Sequence, residues 1–329
     1  MFSQEPPFCI QVEFSEGCNL YCDFCGLQGI RTKTVKNFKF MSRNTARLLA
    51  NQIASLGWNS RIEFAMHGEP TMNPHFIELV SIFREELPKN QLMMTSNGGG
   101  LLGGDGPLAK LNALFDAGLN VYGLDAYESV NIAPKIMKAI STPHDVHEDA
   151  QFNVMYYPED KEASIHKRWP RGTRLFVRVK DISVADEGNH ATLNNHCGSG
   201  APGLPEPMQS RCAKPFREIS VRYNGKISIC CNDWRGVYKC GDIHSSTIGN
   251  IWNNDAFNAA RKYLYQGDRG ALSPCDVCDA KSYRVGFLPD KKGKQELAKP
   301  TKKDAEIVAA ATKGRGYAVP VKREWEKRR

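Results

Sequence analysis

Cys18-Asn-Leu-Tyr-Cys22-Asp-Phe-Cys25 is the stretch on which the reading of this chain turns. It places three thiols within eight residues, directly after an apolar run at 10–14. Three thiolates at this spacing can hold three irons of a [4Fe–4S] cube, a cluster suited to soft sulfur ligands. The fourth iron then lacks a protein ligand and is open to a substrate or cofactor. Zinc knuckles also use closely spaced cysteines, with a further Cys or His nearby. Here the next such residue after Cys25 is His67. The triplet therefore favours iron–sulfur, with structural zinc as the competing reading.

Working outward, apolar runs at 10–14, 62–66, 91–95, 120–124, 152–156 and 175–179 read as strands. Segments 45–56, 74–87, 108–117 and 129–140 have helical spacing or caps. Repeated β/α units imply a parallel sheet. Six strands are too few for a closed eight-stranded barrel, so the expected fold is α/β, a partial (β/α)6 TIM-like barrel. A Gly- and Pro-rich stretch at 194–207 reads as a linker or irregular loop. Beyond it, runs at 219–222 and 226–230 joined through Asn224-Gly225 predict a hairpin, and 255–265 a helix. The expected domains are 1–207, 208–288 and a basic tail at 289–329, flexible or ordered by a partner.

The chain has 329 residues, 41% hydrophobic and 24% charged, ordinary values for a globular protein. No run is long enough to span a membrane, and the N-terminus lacks the pattern of an export signal. A cytoplasmic protein without membrane attachment is expected. In that compartment 11 cysteines point to metal rather than disulfides. The net charge of +8 is concentrated at the end, where 290–329 holds nine Lys and four Arg against two Asp and four Glu. A second basic stretch carries Arg31, Lys33, Lys36, Lys39, Arg43, Arg47 and Arg61, with no acidic residue between Asp23 and Glu63. Such runs are usually solvated faces; the functional alternative is attraction for an anionic substrate, DNA or RNA.

The strand at 62–66 leads into His67-Gly68-Glu69-Pro70, and that at 91–95 into Ser96-Asn97-Gly98. In parallel α/β sheets ligands sit at the C-terminal strand ends, so these turns are expected on one rim with the cysteine loop. With the C-x3-C-x2-C triplet and the Gly-Glu-Pro turn, the chain resembles the radical S-adenosylmethionine (SAM) superfamily. The resemblance implies that Cys18, Cys22 and Cys25 ligate a cluster whose open iron binds SAM. It implies reductive cleavage of SAM to a 5′-deoxyadenosyl radical, which abstracts a hydrogen atom from substrate. It places Phe24 near the adenine and Gly68, Glu69 and Pro70 along the methionine moiety, with Glu69 facing its ammonium group. Ser96, Asn97, Asp125 and Arg178 are weaker candidates for the pocket. Relatives often read Ser-x-Asp where this chain has Gly123-Leu-Asp125. His67 suits packing as well as function.

Cys212, Cys230, Cys275 and Cys278 form a second set, with Gly249-Asn-Ile-Trp252 and Arg261 between them. Four thiolates complete a cluster with no open iron, although four cysteines alone also suit zinc. The arrangement resembles the auxiliary-cluster domain of radical SAM enzymes in its short twitch form, related to the longer SPASM domain. Two [4Fe–4S] clusters, SAM, oxygen sensitivity and a reducing partner such as flavodoxin or ferredoxin follow from the resemblance. The auxiliary cluster is expected to carry an electron or shape the substrate site. Cys9, Cys197, Cys231 and Cys240 read as free thiols, with Cys197 the candidate hydrogen donor or acid. Dehydrogenation or rearrangement of a polar substrate is the leading expectation. Peptide side-chain modification, or nucleobase modification of the kind linked to phage thymidine hypermodification, stand as alternatives; a zinc-binding interaction protein is the non-enzyme one.

Overall fold

Helix α1, Arg43–Ser55, begins where a cap is available: Ser42 Oγ accepts from Thr45 N at 3.1 Å. Its Thr45, Ala46, Leu49, Ala50 and Ile53 form one buried face. Helix α2, Phe76–Glu86, buries Phe76, Leu79, Val80, Ile82 and Phe83. This 3.6-residue periodicity is what the sequence shows at both places. The computed structural model describes residues 5–22, 25–29, 38–127, 132–139, 151–157, 173–180, 194–200, 203–281 and 297–312. It divides into two units, Gln11–Asn19 with Phe38–Ala191, and Met1–Ile10 with Leu20–Asn37 and Thr192–Arg329. Strand β1, Cys9–Val12, straddles the division and is buried at three of its four residues.

The first of these units is the α/β unit. After the short antiparallel pair β2, Ser15–Glu16, and β3, Lys39–Phe40, it contains β4, Arg61–Phe64, β5, Leu92–Ser96, β6, Val121–Tyr127, β7, Gln151–Tyr157, and β8, Thr173–Lys180. Helices α3, Gly106–Asp116, and α4, Ile132–Ala139, complete it among the described residues. The five long strands pair in parallel in the order β4-β5-β6-β8-β7. The parallel α/β sheet is as expected; the order is not that of a sequential barrel, because the sixth predicted strand lies between the fourth and fifth. Its core stacks Phe14 on Phe64, centroids 4.4 Å apart, with Phe83 edge-on to Phe64 at 5.1 Å.

Arg84 clasps the entry to two of these strands. Its guanidinium donates to the carbonyls of Gly118, Leu87, Pro88 and Asn90 and to Asn120 Oδ1, at 2.7–3.1 Å. Asn120 Oδ1 in turn accepts from Leu92 N, the first residue of β5, at 2.8 Å. One forked cation thus fixes the turn after α2 and the turn after α3.

The other unit is rich in cysteine. A four-residue helix, α5, Lys214–Arg217, leads into the antiparallel strands β9, Glu218–Val221, β10, Lys226–Ser228, and β11, Lys239–Asp242. The expected hairpin is present: Gly225 takes φ +80° and donates to Arg222 O at 2.9 Å. Helix α6, Ile248–Trp252, is capped by Thr247, and α7, Asp255–Gln266, by Asn254. Trp252 and Phe257 flank the buried guanidinium of Arg261 at 4.2 and 4.9 Å.

The tail expected from 289 holds a helix, α8, Lys302–Thr312. Thr301 Oγ1 accepts from Asp304 N at 3.3 Å, and Asp304 Oδ2 accepts from Thr301 N at 2.8 Å, a reciprocal capping box. Lys262 on α7 pairs with Asp304 at 2.7 Å. Residues 313–329 lie outside the described residues. Among the described residues no helix is long and apolar enough to cross a membrane.

Replacing Arg84 by Met removes the clasp and leaves half-buried carbonyls without their donor. The expected cost is about 1–3 kcal/mol, with Lys only partly restoring it because an ammonium cannot reproduce the fork. Denaturant unfolding followed by circular dichroism measures this. A change below about 0.5 kcal/mol, the range of ordinary surface substitutions, refutes the clasp.

Candidate active site and its cysteine sets

Gly68, at the start of the Gly-Glu-Pro turn, lies against the backbone just before Cys18. A Cβ at this position would meet Ser15 O at 2.0 Å and Gly17 O at 2.5 Å. Only glycine allows the approach, and it is locked by Glu69 N donating to Gly17 O at 2.9 Å. Pro70 then opens a 3₁₀ turn, Pro70–Met72.

Glu69 is 3% exposed. Its Oε1 accepts from Thr71 N at 3.0 Å, from Thr71 Oγ1 at 2.5 Å and from Ser96 Oγ, and its Oε2 accepts from Asn97 N at 2.7 Å. Burial pushes this carboxyl above its ordinary range, against the pull of the four donors. A carboxylate offers about two acceptor sites on each oxygen; three of these donors crowd Oε1, and Oε2 takes one. The geometry makes Glu69 a brace between the Gly-Glu-Pro turn and the end of β5.

Ser96 Oγ accepts from Gly98 N at 2.8 Å as it donates to Glu69. Asn97 is held at both ends of its amide. Its Oδ1 accepts from Gly99 N at 2.7 Å; its Nδ2 donates to Asn19 Oδ1 at 3.0 Å and to Cys18 Sγ at 3.3 Å. A backbone N–H can only donate, so Gly99 fixes the amide orientation and turns the NH₂ toward the sulfur. Asn97 therefore touches a cysteine of the triplet directly. Thr71 and Asn19 complete this network and were not singled out from the sequence, where Asn19 is an unspecified position of the triplet and Thr71 follows the Gly-Glu-Pro turn.

The other predicted positions divide. Asp125 is buried on β6, two residues before its end, in register with Arg178 of β8. The Arg178 side chain and Phe24 lie outside the described residues. His67 is fully buried, with Nδ1 2.9 Å from Glu13 Oε1, so it is a packed, paired histidine. The basic stretch after the triplet is largely neutralised where it is described: Lys39 pairs with Glu16, Arg43 with Glu78, Arg47 with Glu85 and Glu86, and Arg61 with Glu63.

All 11 cysteines are free thiols. Cys18, Cys22 and Cys25 are partly exposed, whereas Cys212, Cys230, Cys275 and Cys278 are buried. Cys25 N donates to Cys22 O at 3.0 Å, which closes the turn between these two. The following residue, Gly26, rests on the Trp234 indole, 2.4 Å from where a Cβ would stand. In the second set, burial pushes the Cys230 and Cys275 thiols well up, and neighbouring cysteines add to the shift. A cationic iron core bound by this set would remove that penalty at Cys230 and Cys275. Among the described residues no three His, Cys, Asp or Glu side chains gather as closely as one metal ion requires.

Cys197 belongs to this second neighbourhood. It is buried with Cys278 and Ala280, and its hydrogen bond draws the Cys278 thiol down to about 7. The loop carrying it is pinned by Asn195, whose N donates to Asp279 Oδ1 and whose Nδ2 donates to Val277 O, both at 2.7 Å. Cys9 and Cys240 are buried thiols, and Cys231 lies 3.3 Å from Lys214 Nζ.

Gly68→Ala forces the turn off the cysteine loop. The expected outcome is a loss of about 1–3 kcal/mol in stability, as for overpacking at a tight contact, with reduced iron retention after anaerobic reconstitution. Normal stability together with normal iron content would contradict the tight approach.

Comparison with known proteins joins the two cysteine sets to named domains. Residues 12–147 match the radical SAM superfamily, and residues 212–280 match SPASM, an iron–sulfur cluster-binding domain. An S-adenosyl-L-methionine-dependent 2-deoxy-scyllo-inosamine dehydrogenase from Niallia circulans is 24% identical over 272 residues, 82% of this chain and 92% of the relative. A GTP 3′,8-cyclase from Klebsiella pneumoniae (strain 342) is 26% identical over 91 residues, 28% of this chain and 27% of the relative. A crystal structure of BtrN in complex with AdoMet and 2-DOIA superposes with a TM-score of 0.63 at 19% identity, covering 86% of this chain and all of the other. The chain is a radical SAM enzyme with a SAM-binding [4Fe–4S] domain followed by a SPASM/twitch iron–sulfur domain.

Proposed function

We propose that this enzyme dehydrogenates a small polar substrate, removing hydrogen from a carbon that bears a hydroxyl or amino group. The observation that carries the reading is the second cysteine set. Four buried thiols, Cys212, Cys230, Cys275 and Cys278, would satisfy every iron of a cube and leave no place for substrate. Oxidation of an alcohol carbon to a carbonyl removes a hydrogen atom, then a proton and an electron. A closed cluster suits the last of these, and the 2-deoxy-scyllo-inosamine dehydrogenase is a relative over most of its length.

Cys18, Cys22 and Cys25 are the ligands we assign to the first cluster; their partial exposure suits a site that must admit a cofactor. When bound, SAM and this cluster supply the radical that takes one hydrogen atom from a substrate C–H bond. The protein's own part is positional. Gly68 brings the Gly-Glu-Pro backbone to the cysteine loop, and Glu69 ties that turn to Ser96 and Asn97. Asn97 holds Cys18 by its amide, and Asp125 is the polar residue of β6 that we assign to the pocket. A flavodoxin or ferredoxin is the class of reductant we assign to the first cluster.

Anaerobic reconstitution is expected to give roughly eight irons per chain, as two cubes require. Incubation of the reduced enzyme with deuterated amino- and hydroxycyclitols should transfer deuterium into 5′-deoxyadenosine and yield a product two mass units lighter than the protonated substrate. Cys275→Ala should still cleave SAM but lose the oxidised product. Deuterium transfer with a product of unchanged mass would instead identify a rearrangement. Stoichiometric zinc without cluster absorbance would refute the enzyme reading.

A further inference from the structure

Arg269 is 1% exposed, yet it lies among carbonyls. Its Nε donates to Ser210 O at 2.9 Å, Nη2 to Arg211 O at 3.2 Å and Nη1 to Ala280 O at 3.0 Å, with Met208 Sδ at 3.9 Å from Nη1. Among the described residues no carboxylate lies within 4.0 Å of this guanidinium. A buried charge without a counter-charge is costly, and breaking such pairing in proteins is strongly destabilising. Arg261, another buried guanidinium of this unit, lies over two aromatic rings. Among the described residues no aromatic ring lies over Arg269; its hydrogen bonds give each nitrogen a partner but leave its charge unanswered.

The carbonyls it holds flank the second cysteine set. Ser210 and Arg211 immediately precede Cys212, and Ala280 lies two residues after Cys278. Ala280 also donates its N–H to Cys278 Sγ at 3.4 Å. The same residue thus accepts from Arg269 and donates to a cluster cysteine. We propose that Arg269 is the buried counter-ion of the auxiliary cluster, raising its reduction potential while tying together the segments that carry Cys212 and Cys278. The proposal rests on the reading that this set holds an iron–sulfur cluster. Four thiolates around a cubane core leave net negative charge, and net charge and hydrogen bonds to sulfur set such potentials. A cation beside the cluster favours the reduced, more negative form and therefore the uptake of an electron. Arg269 is a positioning residue: it touches neither substrate nor the reacting atoms.

The test is redox titration followed by electron paramagnetic resonance on the full-length holoenzyme, comparing Arg269→Gln and Arg269→Lys. The other cluster, whose signal responds to added SAM, serves as an internal reference. In the Gln variant the auxiliary midpoint potential should fall while the reference stays. In the Lys variant, which keeps the charge but loses the fork, it should remain near the wild-type value. If Gln loses the auxiliary iron altogether while Lys retains it, the charge is supported through retention instead of potential. Equal behaviour of the two variants overturns the counter-ion, whether both are normal, both shifted or both depleted, since a purely structural tie does not distinguish charge. Wild-type protein that holds zinc and shows no cluster signal overturns the underlying reading, and that result precedes any comparison of variants.

Discussion

A buried carboxylate must be satisfied, and Glu69 meets this requirement with donors from two different turns. Thr71 lies on its own turn; Ser96 and Asn97 lie at the end of β5. The same turn reaches Gly17 through the Glu69 N–H. Three segments far apart in sequence are thereby fixed to one another at the carboxyl ends of the strands. Geometry of this kind is what radical chemistry asks of a protein, because the cofactor supplies the reactivity and the chain supplies placement. Loss of any one donor leaves the rest of the buried network short, so its members act together.

On the proposed function, the two cysteine sets differ in the one property their roles would require. A cluster that binds SAM needs access, and Cys18, Cys22 and Cys25 are partly exposed. A cluster that exchanges only electrons needs none, and Cys212, Cys230, Cys275 and Cys278 are buried. Burial disfavours the Cys230 and Cys275 thiolates, a penalty that a bound cationic core would remove. The second unit therefore concentrates unusual polar groups around the set: Cys197 against Cys278, Asn195 across to Asp279, and Arg269 between the flanking carbonyls.

Much of this was legible in the sequence because thiol spacing and strand–helix alternation carry direct physical meaning. The triplet, the second set and the Asn224-Gly225 hairpin each depend on residues close together or on an unmistakable side chain. The exchange of β7 and β8 did not show, since periodicity reports which face of a strand is buried and not which strand lies beside it. Helix α8 was hidden by a Lys-rich composition, although Thr301-x-x-Asp304 is a capping-box signature that can be read directly. The Gly-Glu-Pro motif marks Glu69, but the donors that fix its carboxyl, on Thr71, Ser96 and Asn97, come together only in the fold.

Arg269 marks the limit of such reading. It stands in no motif, and an arginine in a loop before Cys275 is by default a surface residue. Its meaning appears only when burial, donor satisfaction and charge are considered separately. Hydrogen bonds to carbonyls give each of its nitrogens a partner without neutralising it, and the protein answers the comparable cation Arg261 with aromatic faces. A negative cluster is the remaining means of balancing a buried guanidinium here. The dependence then runs both ways: the cation favours electron uptake by the cluster, and the cluster makes the cation tolerable in the interior. A fold that buries both gains a low-dielectric setting in which each is strongly felt by the other.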